Sequence, residues 1–406
     1  MFRLLWLAAV TSALGNGMRW VALPLLAAGQ TGDPWTVSLV TAAEQLPWLL
    51  FGLFAGVLAD RLDRRRLAIA GDLGRAAVMV LFTAAVACGF APIAVIAALG
   101  FVLTCGDTVA SAALAGLLPA VVPADQRATA NGRLAAGVQV TDTLIGSTAG
   151  AALFGAAAIA PFAVDAATFL ASAACLALLR LPANASPAAA SPVEARPAAA
   201  RVRRDLTEGV RLMWAEPAVR GLCLLQAVIS IAYAGILAVL VLFATRGLGL
   251  GPAGFGLLVA VFAVGGVAGG VGAGRLAARF GLRRCLLVAV AVTALCVAAL
   301  GLAGGVVVAL AAAALLGAGS TVADAIGATM RQRLVPDAYL GRVTNAFRIV
   351  GLGAAPAGAL GAGALAHAYG LRTPFLAGAV LVLAGLAACA PQLRDTETRE
   401  INVGER

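Results

Sequence analysis

The sequence predicts an all-helical integral membrane protein with twelve transmembrane helices in two pseudo-symmetric six-helix bundles. Three observations carry this: bulk hydrophobicity, an alternation of arginine between loops, and a phrase that occurs twice. Of the 406 residues, 62% are hydrophobic and only 12% are charged. A chain of that composition cannot hide its apolar surface in one soluble core. Apolar stretches of roughly 20 residues recur along it, each long enough to cross a bilayer as a helix. Residues 106–112 read Gly-Asp-Thr-Val-Ala-Ser-Ala and residues 319–325 read Gly-Ser-Thr-Val-Ala-Asp-Ala, an offset of 213. A phrase doubled inside apolar segments marks a membrane protein built from two related halves around a central path.

Taken in order, the spans cover 4–28, 35–59, 67–90, 92–117, 132–158 and 160–180, then 220–245, 253–277, 285–303, 305–328, 344–367 and 374–393. They define an N-terminal bundle over 1–181, a cytoplasmic linker over 182–217, a C-terminal bundle over 218–393 and a cytoplasmic tail over 394–406. Arginines cluster at Arg61–Arg66, Arg201–Arg204, Arg275–Arg284 and Arg331–Arg342, while the loops between carry little charge: Asp33, Arg246, His367 and Arg372. That alternation places the Arg-rich loops and both termini in the cytoplasm, and a bacterial cytoplasmic (inner) membrane is the expected location. A cleaved signal sequence over residues 1–28 is the competing reading; Arg19 inside it and the spans behind it argue against cleavage. The linker starts as a Pro/Ala/Ser-rich flexible stretch and passes into an amphipathic helix over Arg201–Trp214, read either as lying on the membrane surface or as a solvated connector.

Composition also excludes function classes. The net charge of +10 comes from loop arginines with no lysine at all, so it sets topology and carries no nucleic-acid signal. Without lysine there is no phosphate-binding G-x-x-x-x-G-K-[ST] loop, and ATP-driven transport by this chain alone is excluded. Seven cysteines stand singly in apolar segments, and the single histidine is His367. No metal site, disulfide, cofactor or nucleophile–base constellation is expected, and the chain is not an enzyme.

The loop after span two reads Gly56-Val57-Leu58-Ala59-Asp60-Arg61-Leu62-Asp63-Arg64-Arg65-Arg66, echoed at an offset of 218 by Gly274-Arg275-Leu276-Ala277-Ala278-Arg279-Phe280-Gly281-Leu282-Arg283-Arg284. This pattern resembles the signature of the major facilitator superfamily. Gly71-Asp72-Leu73-Gly74-Arg75-Ala76, Leu118–Pro123 and Ala130-Asn131 further resemble the twelve-span drug exporters of the macrolide-efflux and enterobactin-exporter type. The resemblance implies a conformational latch made of Gly56, Asp60, Arg61, Arg64, Arg65, Asp72 and Arg75. In that picture Asp60 meets the start of span eleven near Asn345, and the arginines pair with Asp72 or other acids at the helix feet. It also implies that spans one, four, seven and ten line the central cavity. Antiporters of the superfamily carry a Gly-Pro-rich kink in span five. Here Gly146 and Gly150 lack the proline, whereas Gly353 and Pro356 in span eleven keep it, for a kink or for close packing.

Ionisable groups inside spans are costly unless they face protein or water. Arg19 and Glu44 lie at matching depths in antiparallel neighbours, so an ion pair is expected, either structural or linked to protons and substrate. Asp107 and Asp324 fall in spans four and ten, facing the cavity or satisfied between helices; Asp324 stands within reach of Arg331 and Arg333. Asp142 shares a polar face with Gln139 and Thr143, for coupling or for helix packing. Asp165 is expected near the outer interface, without a functional role. The resulting reading is a monomeric secondary transporter in the lipid bilayer, exporting a small amphipathic compound in exchange for protons. A proton-coupled importer or facilitator is the alternative, and a non-transporting sensor or scaffold a more distant one.

Overall fold

The computed structural model describes residues 1–179 and 198–393, with side chains at all of these except 52–57, 59–61, 124, 128, 198–206, 337, 338, 340, 345 and 352. Every regular element among them is helical. The first half runs α1 (Phe2–Gln30), α2 (Pro34–Arg61), α3 (Arg64–Ala87), α4 (Ile93–Val121), α5 (Arg127–Gln139), a π-helical stretch (Val140–Gly146), α6 (Ser147–Ala156) and α7 (Ala160–Leu178). After α8 (Ala198–Ala215) come α9 (Pro217–Leu242), α10 (Pro252–Phe280), α11 (Leu282–Leu302), α12 (Val306–Leu334), α13 (Asp337–Leu352), α14 (Ala355–Tyr369) and α15 (Thr373–Cys389). Joining α5–α6 and α13–α14 gives the twelve spans. Among the described residues eight helical stretches, with α13–α14 counted as one, are long and apolar enough to cross a membrane. Helices of 29 residues such as α4 and α12 rise about 43 Å, well beyond the roughly 30 Å hydrocarbon layer, so each has turns to spare outside it.

The chain forms two compact units. One holds Met1–Gly32, the chain from Ala43 to the linker, and Leu250–Ala260; the other holds Asp33–Ala42, α8 through Gly249, and the chain from Val261 onward. In the first unit Leu5, Ala8, Ala113, Leu117 and Leu176 form a buried cluster. In the second, Cys223, Val290, Ile326, Val343 and Phe347 do so.

Both halves solve the same turn by different chemistry. Asp63 caps α3, its carboxylate accepting from Arg66 N at 2.8 Å. At the position 218 residues on, Gly281 precedes α11 with φ +81°, a backbone state that only glycine adopts without strain.

The amphipathic linker helix corresponds to α8, and Val210 and Met213 of its apolar side pack on protein. Met213 is fully buried in the cluster with Phe347, and Glu208 pairs with Arg342 of α13 at 3.2 Å. Gly209 lies against the Arg342 carbonyl, where a Cβ would not fit. A glycine in the helix lets α13 approach, while Trp214 on the same apolar face remains 45% exposed. The Pro/Ala/Ser-rich stretch lies outside the described residues.

Asp33 starts α2 within the second unit. It accepts from the backbone N–H of Trp35 and Thr36 and from the Thr36 hydroxyl, and His367 Nδ1 donates to it at 2.7 Å. The Thr36 hydroxyl above all, then His367 and the two amides, holds the Asp33 carboxyl down at about 2 against its ordinary 3.8. Because the folded value is depressed, its contribution is complete above pH 3.8 and is lost as pH falls toward 2. Asp33→Ala is expected to cost about 1 kcal/mol at neutral pH as a lost helix cap. Melting curves of wild type and variant, recorded at decreasing pH, should converge on acidification.

Candidate functional site

The first unit buries a continuous charged cluster between α1, α2, α3, α4 and α7. Arg19 of α1 is 1% exposed and lies at its centre. Its guanidinium donates to Asp107 Oδ2 at 2.7 Å and to Asn16 Oδ1 at 3.4 Å. It stands 3.6 Å from Glu44 Oε1 and 3.6 Å from Asp165 Oδ2. The second Asp107 oxygen is bound by Arg75 of α3, which also pairs with Asp72 one turn earlier. Asp72 in turn accepts from the Ser172 hydroxyl at 2.6 Å, and the Arg75 guanidinium lies 4.3 Å over the Phe169 ring. Asp107 therefore bridges two arginines, and four acids share two cations.

Room for this cluster comes from glycines. A Cβ on Gly100 would come within 2.7 Å of Glu44 Cγ, and one on Gly106 within 2.8 Å of Arg75 Cδ. At Gly15 it would strike Asp165 and Thr168. Gly106 opens the doubled phrase, and its counterpart Gly319 faces Thr293 Oγ1, the residue 218 positions after Arg75. The second half thus keeps the close helix approach and has a hydroxyl where the first has a guanidinium. Asp107 likewise corresponds to Ser320, whose hydroxyl bonds back to its own helix at Leu316 O, 2.8 Å. Among the described residues the buried ion-pair cluster belongs to one half, while the close glycine packing is shared.

Several sites expected from the sequence have other surroundings here. Asp72 and Arg75, grouped above with the loop latch, are 2% and 5% exposed and belong to the buried cluster. The reason is helical geometry: Asp72 is eight residues into α3, about 12 Å from its first residue, and the i,i+3 spacing puts Arg75 on the same face. Asp165, expected near an interface, is fully buried, because α7 packs this face against α1. Arg65 donates to the Leu176 and Ala177 carbonyls at the end of α7, at 2.9 and 2.5 Å, and Arg64 to Gly116 O at 3.0 Å. Capping of exposed carbonyls suits a helix C-terminus, where the dipole favours a cation. Gly56, Asp60 and Arg61 are helical in α2; their side chains, like that of Asn345, lie outside the described ones.

Asp142 sits in the π-helical stretch of span five. Gln139 donates to Thr143 at 2.9 Å, so the polar face is bonded along the helix. Gly17 of α1 lies against the Asp142 backbone, Gly146 against the Leu14 carbonyl and Gly150 against Met18. Three glycines thus bring α1 and span five into backbone contact where span five leaves α geometry; such π turns recur at functional sites. Gly17→Val is expected to destabilise the fold by about 1–3 kcal/mol through overpacking, read as a lower melting temperature in detergent. In span eleven the chain breaks at Gly353-Ala354, and Pro356 occupies the first turn of α14, where its missing N–H costs nothing.

Asp324 stands in the second unit and has neither ion pair nor hydrogen bond among the described residues. It opens into a cavity of about 350 Å³ that also holds Gln226, Arg331 and Arg348. The expected pairing with Arg331 or Arg333 is not formed: the Arg331 guanidinium lies 4.4 Å over the Phe347 ring. Sequence reading gave Asp165 no role and missed Ser172 and the close-approach role of the glycines; a polar residue recurring within one apolar span, as in Asp165, Thr168 and Ser172, was the available signal.

A family described as transmembrane secretion effector matches residues 1–405. The multidrug efflux pump Tap of Mycolicibacterium fortuitum is 27% identical over 411 aligned residues, covering 97% of this chain and 96% of the relative. Macrolide efflux protein A of Streptococcus pyogenes is 26% identical over 125 residues, 31% of each chain. Among solved structures, a bacterial homologue of the human lysosomal transporter Spinster, inward-facing and unoccupied, superposes with a TM-score of 0.74 at 17% identity, covering 98% of this chain and 97% of the other.

Proposed function

This chain belongs to the transmembrane secretion effector family of the major facilitator superfamily, a multi-pass membrane transporter and not an enzyme, and we propose that it exports a small amphipathic organic compound in exchange for protons. The single observation that carries the proton part is the buried cluster. Glu44, Asp72, Asp107 and Asp165 surround Arg19 and Arg75, so full ionisation would leave two uncompensated negative charges away from water. Such charges are expensive in a membrane interior, and protons are the ligands that cancel them without new contacts. An acid's proton occupancy depends on whether its arginine stands beside it. Helix movements that change these distances therefore exchange protons with whichever side is open.

Export is supported by the efflux relatives Tap and macrolide efflux protein A. Alternating access of two related halves is the means, in a bacterial cytoplasmic membrane with the Arg-rich loops and both termini inside. One chain holds a whole pathway, so the working unit is a monomer. Asp60, Arg61, Arg64 and Arg65 act at the cytoplasmic loop as the latch between states, with Arg64 and Arg65 anchored on the ends of α4 and α7. Gly353 and Pro356 supply a flexible break in span eleven.

The test is purified protein in liposomes carrying an internal pH dye, challenged with a panel of amphipathic compounds. Compound-dependent proton movement opposite to compound flux is expected. Compound flux without proton movement would replace antiport by facilitation, and co-directional movement would replace export by import.

A further inference from the structure

Outside the buried cluster, the second unit holds a cavity whose chemistry the proton exchange leaves unused. Its wall combines α9, α11, α12 and α13, with Leu225, Ile229 and Leu286 supplying apolar surface. Three features point to a ligand. Asp324 opens into the space without a partner among the described residues. Arg331 stands seven residues later on the same helix, its Cα about 10 Å along the axis, and no ion pair joins the two. The Arg331 guanidinium is stacked on Phe347 at 4.4 Å, and its Nε is buried with no hydrogen-bond acceptor among the described residues. Stacking fixes the plane of the guanidinium, so its donors are oriented before anything binds.

A carboxylate at one end, an oriented guanidinium at the other and an apolar wall between make a bipolar pocket, of a volume within the ordinary small-ligand range. We propose that this pocket is the substrate subsite, and that it takes an elongated amphipathic zwitterion, its ammonium on Asp324 and its carboxylate or equivalent acceptor on Arg331. Gln226 and Arg348 line the same space and supply further polar contacts. This deepens the export reading and rests on it for the word substrate. A zwitterionic phospholipid headgroup presents the same two charges on a short ethanolamine bridge, and competition separates it from a longer zwitterion. The occupant we assign is a zwitterion with its charges at opposite ends of a rigid ring system.

The test is equilibrium dialysis on the purified full-length chain in detergent, without any gradient. The probes are norfloxacin, which carries an amine and a carboxylate at opposite ends, its methyl ester and its N-acetyl derivative. Asp324→Asn is expected to weaken norfloxacin and the ester at least about tenfold and to leave the N-acetyl compound unchanged. Arg331→Gln should weaken norfloxacin and the N-acetyl compound by a similar factor and spare the ester, with Arg331→Lys in between. If Asp324→Asn does not fold, Ala328→Leu, which fills the cavity without touching a charge, should weaken all three probes together.

Equal weakening of all probes by both charge variants, unchanged binding in both, or no binding to wild type would each overturn the proposal. So would displacement of norfloxacin by phosphatidylethanolamine from wild type and not from Arg331→Gln, which assigns the pocket to lipid. The expected binding pattern without proton-linked flux in liposomes would sink the export reading alone. Proton-linked flux unaffected by both charge variants would sink the subsite alone.

Discussion

Arg19→Gln is expected to give poorly folded, inactive protein. The substitution removes the cation that stands within 4 Å of Glu44, Asp107 and Asp165 at once, and leaves Arg75 to face the whole cluster. Breaking a buried pair from one side costs about 3–5 kcal/mol, because the partner charge stays behind without compensation. A simple loss of packing would cost as much, so the decisive measurement is a double-mutant cycle. Adding Asp107→Asn to Arg19→Gln removes the closest orphaned charge and should recover part of the loss, with a coupling of about 0.5–3 kcal/mol. Melting temperatures and size-exclusion profiles of the four proteins read this directly. An Arg19→Gln protein that melts like wild type and still transports would mean that the cluster is not held together by its charge.

Glu44→Gln should act on coupling and leave the fold intact. Both Glu44 carboxylate oxygens are buried without a hydrogen-bond donor among the described residues, and Gly100 leaves the side chain its room. An amide of the same shape fits that space and permanently represents the uncharged acid. If Glu44 carries the exchanged proton, the affinity for substrate should depend on pH in wild type, by a factor of roughly 5–150, and lose that dependence in the variant. Substrate binding titrated across pH, together with proton flux in liposomes, measures both sides of the linkage. Full proton-linked flux and an unchanged pH profile in Glu44→Gln would transfer the role to Asp107 or Asp165. Arg19→Gln tests what holds the cluster together, whereas Glu44→Gln tests what it does.

The spans, their order and the Arg-rich loops were legible because each is a local consequence of the solvent. A backbone crossing hydrocarbon must satisfy its own hydrogen bonds, so an apolar stretch of sufficient length becomes a helix whatever surrounds it. The Arg19–Glu44 neighbourhood was legible for a similar reason: a short loop joins α1 and α2, and the rise per residue then sets matching depths. The break in span eleven followed from Gly353 and Pro356 themselves. Its counterpart in span five gave a weaker signal, since the π turn at Asp142 contains no proline and lies against Gly17 of a distant helix.

What no local rule supplied was partner choice. Arg19 and Asp107 are 88 residues apart, and Asp72 meets Ser172 across 100. Asp72 and Arg75 read as loop chemistry because their phrase follows the loop; only the packing of α3 on α4 and α7 carries them into the interior. Asp165 looked peripheral by its place near the start of α7, until α1 closed over it. By itself, the sequence determined a twelve-span membrane protein in two halves, since hydropathy, loop charge and the repeated phrase act over a few turns at most; the transporter reading came from the resemblance of its loop phrases. The tertiary structure alone decided that the acids of four helices converge on two arginines, and that Asp324 faces open space. Close approach of helices at glycine contacts is a property of pairs of surfaces, and it sets which charges meet.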